Sequence, residues 1–233
     1  MDIHDTCLLA GPIGHDLTFT KGLCGSLFTF GKTVLLDSMD PKDICQTIQQ
    51  EKVTAIVWVP TLAKRLIDFE GLKDYDLSSL KKMHCGGGMS QPEIIKGVWE
   101  KLGSTFFNGY GGTEGQTTIT RSDDNPQTIL HTVGRPTCPY DTYKVVDRNR
   151  KELPPNTPGE LIIKGPGVFT GYYKAPEENK MTFNKEGFFR TGDVVKIDEA
   201  GNVTITGRLK EMINRGGESI SATQIESLII GHP

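Results

Sequence analysis

The sequence predicts an α/β fold in which a doubly wound parallel sheet is followed by a small β-barrel-like subdomain. Two patterns within the 233 residues lead to this prediction. Up to residue 127, short apolar runs alternate with helical segments, which is typical of parallel strands joined by helices. After residue 127 the helical periodicity fades, and short strands separated by turn sequences follow. We therefore expect an α/β subdomain at 1–127, a β-rich subdomain at 128–209 and the start of a third unit at 210–233.

Five apolar runs predict the strands of the parallel sheet. The third run, TAIVWV, is β-branched and apolar on both faces, as expected for a strand buried between two layers of helices. Helix signals lie between the runs: Asp40 is a suitable N-cap before Pro41, and Thr61 and Ser90 are predicted to cap two further helices. The last of these helices is expected to stop at Gly103. The predicted strands lie at 6–10, 33–36, 54–59, 80–85 and 104–107.

The second part contains four short strand-like runs. Turn sequences rich in Gly, Pro, Asn and Asp separate them, a pattern typical of antiparallel sheets and small barrels. Near the end, Ser221 and Gln224 form a capping box ahead of an apolar segment, which predicts a helix start in the third unit. The predicted strands lie at 143–147, 159–165, 193–198 and 202–207.

Composition excludes several functional classes. Apolar residues make up 36% and charged residues 24% of the chain, as in a soluble globular protein, and no apolar run approaches the ~20 residues that span a bilayer. The net charge of −3 gives no indication of nucleic acid or of an anionic membrane as a partner. The five cysteines are widely spaced without a CxxC pair, and the start shows no secretory signal. We therefore expect a cytoplasmic protein without a disulfide framework or a zinc site.

Glycine is abundant, with 27 residues, and much of it follows the predicted strands in clusters at 10–15, 85–88 and 108–115. Ligands of open α/β sheets bind beyond the carboxyl ends of the strands, and glycine lets the backbone approach a ligand closely. Strand-to-helix turns also favour glycine without any ligand, but runs such as GGG and GYGGTEG are richer than such turns need. We therefore expect the three clusters to border one ligand crevice.

The cluster at 108–115 does not match the usual phosphate loops. The nearest Walker A match, at 26–33, has Ser in place of the first Gly and precedes a strand, and a G-x-G-x-x-G match fails because Glu114 occupies the last position. A carboxylate here would repel a phosphate unless a cation lies between them, so the cluster fits a Mg²⁺–nucleotide better than a bare phosphate. Tyr110 adds a flat surface on which a base can stack. His15 lies in the first cluster, where a lone histidine is more often structural than catalytic.

Five motifs, in order and covering almost the whole chain, resemble those of the adenylate-forming superfamily. NGYGGTE at 108–114 is similar to the N-x-Y-G-x-T-E motif, and GPIGH at 11–15 takes the place of the P-x-x-H turn. The segments at 159–173, 187–195 and 207–226 resemble the G-E-L, Y-R-T-G-D and G-R-x-K motifs. The superfamily comprises acyl- and aryl-CoA ligases, aryl acid adenylating enzymes, peptide-synthetase adenylation domains and luciferases. The resemblance implies a large adenylation domain followed, from residue 210, by the start of an α+β lid domain.

The resemblance implies that the chain binds ATP and AMP. Tyr110 would stack on adenine, Thr113 would bond the α-phosphate and Glu114 would hold Mg²⁺. Asp193 would accept both ribose hydroxyls, and Arg208 would also reach the ribose or the phosphate. The implied nucleotide-binding residues are Gly86, Gly87, Gly88, Asn108, Tyr110, Gly111, Thr113, Asp193 and Arg208.

The resemblance also implies two half-reactions. A substrate carboxylate attacks the α-phosphorus of ATP, which gives acyl-AMP and pyrophosphate, and a thiol such as that of CoA then displaces AMP. Lys210 would be the hinge about which the lid rotates between the two steps. The implied catalytic residues are His15, Thr113, Glu114 and this hinge lysine. The residues implied to contact the acid or CoA are His15, Asp16, Gly88, Val133, Gly134 and Gly217.

Two expected motifs of the superfamily are absent from the chain. One is the Ser-, Thr- and Gly-rich loop with a lysine that grips pyrophosphate, and the other is the catalytic lysine late in the lid. We therefore expect a central fragment of a longer enzyme, with little or no adenylation activity on its own.

Within the superfamily, the segments at 213–218 and 132–141 resemble the aryl acid AMP ligases and the short-chain or cyclic acyl-CoA synthetases. Ligases for dihydroxybenzoate have Asn directly after the His of the first turn, whereas this chain has Asp16 there. A second position, which binds a hydroxyl in those ligases, is occupied by Lys21 in this chain. The resemblance therefore favours a CoA ligase for an aliphatic, cyclic or simple aromatic acid. An aryl acid ligase that loads a carrier protein is the alternative, and a non-catalytic nucleotide-binding fragment is another. A homodimer is compatible with each of them.

Overall fold

The structure, a computed structural model, divides into two compact units. The N-terminal unit comprises residues 1–113 and 119–131, and the C-terminal unit comprises 114–118 and 132–233. The segment NGYGGTE is therefore shared, because its first six residues belong to the N-terminal unit and Glu114 belongs to the C-terminal unit. The described residues are 1–88, 90–215, 218–221, 225 and 229.

A parallel sheet forms the frame of the N-terminal unit. Its strands are β1 Thr6–Leu9, β2 Lys32–Leu35, β3 Ala55–Trp58, β4 Lys82–Cys85 and β5 Thr105–Gly111. They lie in the order β2-β1-β3-β4-β5, and each neighbouring pair is parallel. The order reverses between β1 and β3, which is the topological switch point at which open α/β sheets bind ligands. The predicted α/β fold with a parallel sheet is confirmed.

Helices cover both faces of this sheet. Alternation along β1 points Leu8 into a large core shared with the helices of one face, and it points Cys7 and Leu9 towards Leu17 and Leu23 on the other. None of the described helices is long and apolar enough to cross a bilayer. The helices of this unit are a π-helix Leu17–Cys24, α1 Gly25–Phe28, α2 Pro41–Glu51, α3 Pro60–Ile67, a 3₁₀ helix Glu70–Asp74, α4 Pro92–Leu102 and α5 Pro126–His131.

The helix starts agree only in part with the sequence signals. Asp40 caps α2 as predicted, since its Oδ1 accepts a hydrogen bond of 2.8 Å from the backbone N–H of Lys42. The predictions for Thr61 and Ser90 are wrong, because α3 already begins at Pro60 and the N-cap of α4 is Gln91. In both helices a proline takes the first helical position, where its fixed φ angle suits the helix and its missing N–H costs no hydrogen bond.

Strand β5 is longer than the apolar run that predicted it. The run ends at Phe107, but the strand continues to Gly111. The backbone N–H of Asn108 donates to Oγ1 of Thr120 at 2.9 Å, and the N–H of Thr120 donates to the carbonyl of Asn108 at 3.0 Å. Four residues of the glycine-rich segment are therefore strand, and Thr120, 12 residues further along the chain, binds the first of them, Asn108.

A second, antiparallel sheet forms the C-terminal unit. Its four strands are β8 Thr142–Val146, β9 Gly159–Lys164, β10 Phe189–Ile197 and β11 Val203–Arg208. They lie in the order β11-β10-β9-β8, and a separate two-stranded pair follows, β12 Met212–Arg215 with β13 Glu218–Ser221. The presence of a second sheet is confirmed, whereas its β-barrel-like character, the lid and the boundaries after residues 127 and 209 stay predictions. The remaining elements are β6 Thr117–Ile119, which crosses the division between the units, β7 Arg135–Pro136, α6 Pro176–Thr182 and a 3₁₀ helix Leu209–Glu211.

Candidate active site

Three segments at the carboxyl edge of the parallel sheet meet in the N-terminal unit. A Cβ atom at Gly86, just after β4, would lie 3.6 Å from the carbonyl oxygen of Gly109 in β5. It would also lie 3.3 Å from the side chain of Leu17, which follows the loop after β1. The glycine clusters after β4 and in β5 thus approach each other main chain to main chain, and the segment after β1 reaches them through the Leu17 side chain.

The imidazole ring of His84 lies next to Gly109 at this edge of the sheet. Its Nε2 atom would lie 2.5 Å from a Cβ atom at Gly109, so the observed ring position requires glycine there. Burial and, to a smaller extent, the charge of Lys21 together lower the pKa of His84 to about 4, so the imidazole is neutral near pH 7. Burial also lowers the pKa of Lys21, although Asp16 partly opposes the shift.

Sequence reasoning missed His84, although a signal was present. In β4 the side chains of Met83 and Cys85 are buried in the core, and Lys82 and His84 alternate with them. The period of two therefore places His84 on the face away from that core, next to the glycine clusters.

The two polar residues of the first turn have local partners. Nδ1 of the exposed His15 accepts a hydrogen bond of 3.2 Å from the backbone N–H of Leu17. Oδ1 of Asp16 accepts a hydrogen bond from the Thr20 hydroxyl, one turn along the π-helix. Both contacts fix side-chain directions at the start of this helix, and the roles predicted for His15 and Asp16 towards the acid stay predictions.

The residues of the glycine-rich segment differ in exposure. Asn108 is buried, and its side-chain amide donates to the carbonyl of Ile129 at 3.4 Å. Tyr110 is half-buried, whereas Gly111 and Thr113 are exposed, as are Gly87 and Gly88 after β4. Asn108 therefore anchors β5, and a ligand can reach the exposed Gly111 and Thr113.

Glu114 is fixed by a residue that sequence reasoning did not identify. The hydroxyl of Tyr172 donates a hydrogen bond of 2.9 Å to Oε1 of Glu114, across 58 positions of sequence. The backbone N–H of Phe169 donates to the Glu114 carbonyl at 2.9 Å. Burial and the neighbouring Glu114 carboxylate together raise the pKa of Tyr172 to about 12, so the phenol keeps its proton near pH 7.

An aromatic cluster supports Tyr172. The ring of Phe169 lies 4.9 Å from that of Tyr172 in an edge-to-face arrangement, and 5.3 and 5.1 Å from those of Phe183 and Phe189. The Asn179 side chain accepts from the Tyr172 N–H at 2.7 Å and donates to the Tyr172 carbonyl at 2.9 Å. The ring and the main chain of Tyr172 are therefore both held in place.

Asp193 and Arg208 form an ion pair on neighbouring strands. They lie opposite each other in β10 and β11, and Nε of Arg208 is 2.9 Å from Oδ1 of Asp193. Asp193 is buried, whereas the side chain of Arg208 is 64% exposed. The register of β10 shifts beside Asp193, where Gly192 has a φ of 72° and the Asp193 N–H donates to the Thr191 hydroxyl at 3.0 Å. This irregularity sets the direction of the carboxylate.

The remaining predicted residues of the C-terminal unit lie in other parts of it. Val133 and Gly134 are buried, and each makes a backbone hydrogen bond of 2.8 Å with Val203 at the start of β11. Lys210 is exposed in the short 3₁₀ helix between β11 and β12. Gly217 and the capping residue Gln224 lie outside the described residues.

Glu114 can hold a Mg²⁺ ion only as part of a larger ligand set. Among the described residues, no three or more His, Cys, Asp or Glu side chains are grouped to bind a metal. Mg²⁺ often takes one or two carboxylates and completes its six ligands with waters and substrate phosphates. A single, firmly held carboxylate therefore fits a Mg²⁺ ion that arrives with a nucleotide.

Comparisons with known proteins identify the family of the chain. The family described as AMP-binding enzyme matches residues 1–173. Pyochelin synthase PchD of Pseudomonas aeruginosa is 39% identical over 233 residues, which are 100% of this chain and 43% of that protein. The 2,3-dihydroxybenzoate-AMP ligase of Bacillus subtilis is 37% identical over 232 residues, 99% of this chain and 43% of that protein. The crystal structure of ATP-bound MatB from Rhodopseudomonas palustris matches with a TM-score of 0.88 and 31% identity, over 100% of this chain and 46% of that one. The chain thus spans less than half the length of these relatives.

Proposed function

Because the chain belongs to the AMP-binding enzyme family, we propose that the protein carrying it activates an aryl carboxylic acid with ATP. The products of this step are an aryl-AMP and pyrophosphate. The observation that carries the proposal is the 37% identity, along 99% of the chain, to a 2,3-dihydroxybenzoate-AMP ligase. The same fold in ATP-bound MatB, at 31% identity, supports ATP as the nucleotide.

The acceptor in the second step is the thiol of a carrier protein. The sequence alone favoured CoA, with carrier loading as the alternative, but the relatives support the alternative better. The relative from Bacillus subtilis is named an AMP ligase, and the relative from Pseudomonas aeruginosa is named a synthase. Neither of these two names includes CoA. CoA is therefore a second arm of the test rather than the expected acceptor.

In the N-terminal unit, main chain without side chains would lie against the nucleotide. The exposed backbone at Gly87, Gly88 and Gly111 would allow a ligand to approach without a clash with Cβ atoms. Tyr110 would stack on the base, and the exposed Thr113 hydroxyl would donate to the α-phosphate. No side-chain nucleophile is needed, because the substrate carboxylate itself attacks the α-phosphorus.

In the C-terminal unit, fixed charges would act on the nucleotide. Asp193, oriented by Arg208, would accept the ribose hydroxyls. Glu114 would be the protein ligand of Mg²⁺, an ion that neutralises charge on phosphate oxygens. Holding two anions together is the main barrier in this reaction, so preorganised charge and donors account for most of the catalysis.

The acid would lie near the first turn and β4. His15 and Asp16 precede the π-helix, and the neutral His84 lies close to Lys21. The ammonium group of the half-buried Lys21 favours acids that carry an additional hydrogen-bond acceptor, such as a ring hydroxyl. Val133 and Gly134 stay proposed acid neighbours.

The test is an ATP–pyrophosphate exchange assay of the gene product carrying this chain, with benzoate, salicylate, 2,3-dihydroxybenzoate and octanoate as acids. Exchange that depends on an aryl acid, with an aryl-AMP found by mass spectrometry, is the expected result. Transfer is then followed to a purified aryl carrier protein and, separately, to CoA. Exchange with octanoate alone would overturn the aryl assignment, and faster transfer to CoA would overturn the proposed acceptor.

A further inference from the structure

We propose that Tyr172 is a positioning residue that holds the Glu114 carboxylate in one orientation towards the metal ion of MgATP. This inference rests on the proposed function, in which Glu114 is the protein ligand of that ion. The hydrogen bond of 2.9 Å from the Tyr172 hydroxyl to Oε1 of Glu114 carries the proposal.

The bond leaves Glu114 able to bind a cation. A carboxylate has about four acceptor sites on its two oxygens, and one tyrosine hydroxyl occupies a single site. A glutamate side chain has three rotatable bonds, so without a fixed partner its carboxylate samples several directions. The hydroxyl of Tyr172 selects one of them.

Tyr172 can do this because its own position is determined twice. Its ring packs edge-to-face on Phe169 at 4.9 Å, and Asn179 in α6 bonds both its N–H and its carbonyl. The hydroxyl lies at the end of a planar ring with two side-chain torsions. Fixing the main chain and the ring therefore fixes the hydroxyl as well.

The main chain around Glu114 is docked on the same loop. The Phe169 N–H donates to the Glu114 carbonyl at 2.9 Å. A Cβ atom at Gly115 would lie 1.9 Å from the carbonyl oxygen of Gly167, so the two backbones are in direct contact. Main chain and carboxylate are thus both set by residues 167–172, as expected for a group whose direction matters.

A bond that only ties the two segments together makes a different prediction from a positioning bond. Loss of a hydrogen bond that only connects the two segments lowers the unfolding temperature and leaves the metal affinity unchanged. Loss of an outer partner of a metal ligand typically weakens metal affinity 10- to 100-fold. Metal affinity, measured apart from turnover, therefore separates the two roles.

The experiment compares Tyr172→Phe with Tyr173→Phe in the gene product carrying this chain. Both variants lose one phenolic oxygen, but Tyr173 is 87% exposed and its ring lies under the ammonium group of Lys174, 5.2 Å from the ring centre. Mn²⁺ is titrated into protein and ATP, its binding is followed by electron paramagnetic resonance, and the unfolding temperature is measured alongside. We expect Tyr172→Phe to weaken Mn²⁺ binding about tenfold. Tyr173→Phe should stay within about twofold of the unmodified protein, which is the scatter expected of a surface substitution.

A Glu114→Gln variant separates failure of this inference from failure of the proposed function. If Glu114→Gln weakens Mn²⁺ binding and Tyr172→Phe does not, the positioning role is overturned and the metal role of Glu114 stands. If Glu114→Gln leaves Mn²⁺ binding unchanged, the metal role fails, and the inference fails with it. In the double variant, Tyr172→Phe should add nothing to the loss caused by Glu114→Gln, because both changes act on one ligand.

Phe169→Leu provides a second measurement if Tyr172→Phe does not fold. It keeps the hydroxyl and removes the ring on which Tyr172 packs. A loosened hydroxyl should weaken Mn²⁺ binding by a smaller factor, about threefold, than complete loss of the bond. Unchanged Mn²⁺ binding in a folded Phe169→Leu protein would overturn the positioning role.

Discussion

The two units fix their candidate nucleotide residues by different means. In the N-terminal unit, Gly86 lies close to the main chain of Gly109, and the absence of a side chain at Gly109 leaves room for the His84 ring. In the C-terminal unit, Glu114 and Asp193 are carboxylates, and each is oriented by a side chain from another segment, Tyr172 and Arg208. The arrangement in the N-terminal unit depends on glycines that have no side chain, and the arrangement in the C-terminal unit depends on pairs of interacting side chains. Substitutions should therefore have different consequences in the two units. An added side chain should cause a clash in the N-terminal unit, and loss of a partner should release a carboxylate in the C-terminal unit.

The largest effect is expected from Gly115→Ala in the C-terminal unit. Gly115 has a φ of 110°, and its Cβ atom would lie 1.9 Å from a backbone carbonyl oxygen that cannot rotate away. We expect the free energy of unfolding to fall by about 3 kcal/mol or more. Urea denaturation provides the measurement. Gly103→Ala is the control, since Gly103 has a φ of 62° but open space around it, and it should cost only about 1 kcal/mol. Equal losses would show that the contact with Gly167 is not tight.

Asp193→Asn should show that charge, rather than backbone space, determines binding in the C-terminal unit. The variant keeps the shape of the side chain but removes the charge that pairs with Arg208. We expect the affinity for AMP to fall about 10- to 100-fold, the value of a hydrogen bond to a charged group. Isothermal titration calorimetry measures it, with Glu199→Gln in an exposed turn as the control. An unchanged dissociation constant for AMP in Asp193→Asn would contradict the ribose role.

Gly109→Ala tests the same question in the N-terminal unit, where the obstacle is a side chain. The new methyl group would lie 2.5 Å from Nε2 of His84. We expect a loss of about 1–3 kcal/mol in the free energy of unfolding, as for an overpacked site. The cost should shrink in a His84→Ala background, because the ring that causes the clash is gone. Equal costs in both backgrounds in urea denaturation would place the strain elsewhere.

The effect that is smallest over a single pH unit is a pH dependence of stability that arises from His84. Its pKa is about 4 in the folded chain against 6.5 for a free histidine, so between these values only the unfolded chain binds the proton. The free energy of unfolding should therefore decrease as the pH falls from 6.5 to 4, by about 1 kcal/mol per pH unit from this residue, and be unaffected by it above 6.5. Urea denaturation at several pH values measures the slope. His84→Gln should reduce the slope by one proton, and an equal slope in both proteins would mean that His84 is charged when folded.

The difference between local signals and contacts with distant segments explains which elements could be predicted from the sequence. Hydrophobic runs predicted the strands of the parallel sheet, and Asp40 predicted the start of α2, because these signals are local. Helix α6 gave no such signal, since none of its residues is buried and it has no apolar face to show periodicity. The extension of β5 was also invisible, because its partner, Thr120, lies in a separate segment.

The candidate site was predictable in the same uneven way. Glycines and the acid of NGYGGTE are readable as a motif, and so is Asp193. The partner of Glu114 is not readable, because Tyr172 lies 58 positions away and folding alone brings the two together. A motif therefore predicted the candidate nucleotide residues, and only the structure identified the residue that is hydrogen-bonded to Glu114.

The most direct test of the proposed chemistry follows an oxygen atom. The gene product carrying this chain is supplied with ATP, an aryl acid labelled with ¹⁸O in its carboxylate, and hydroxylamine as the acceptor. Attack of the carboxylate on the α-phosphorus, followed by cleavage at the acyl carbon, predicts AMP with one ¹⁸O atom and pyrophosphate with none. AMP without the label, or labelled pyrophosphate, in the mass spectrum would contradict adenylation of the acid.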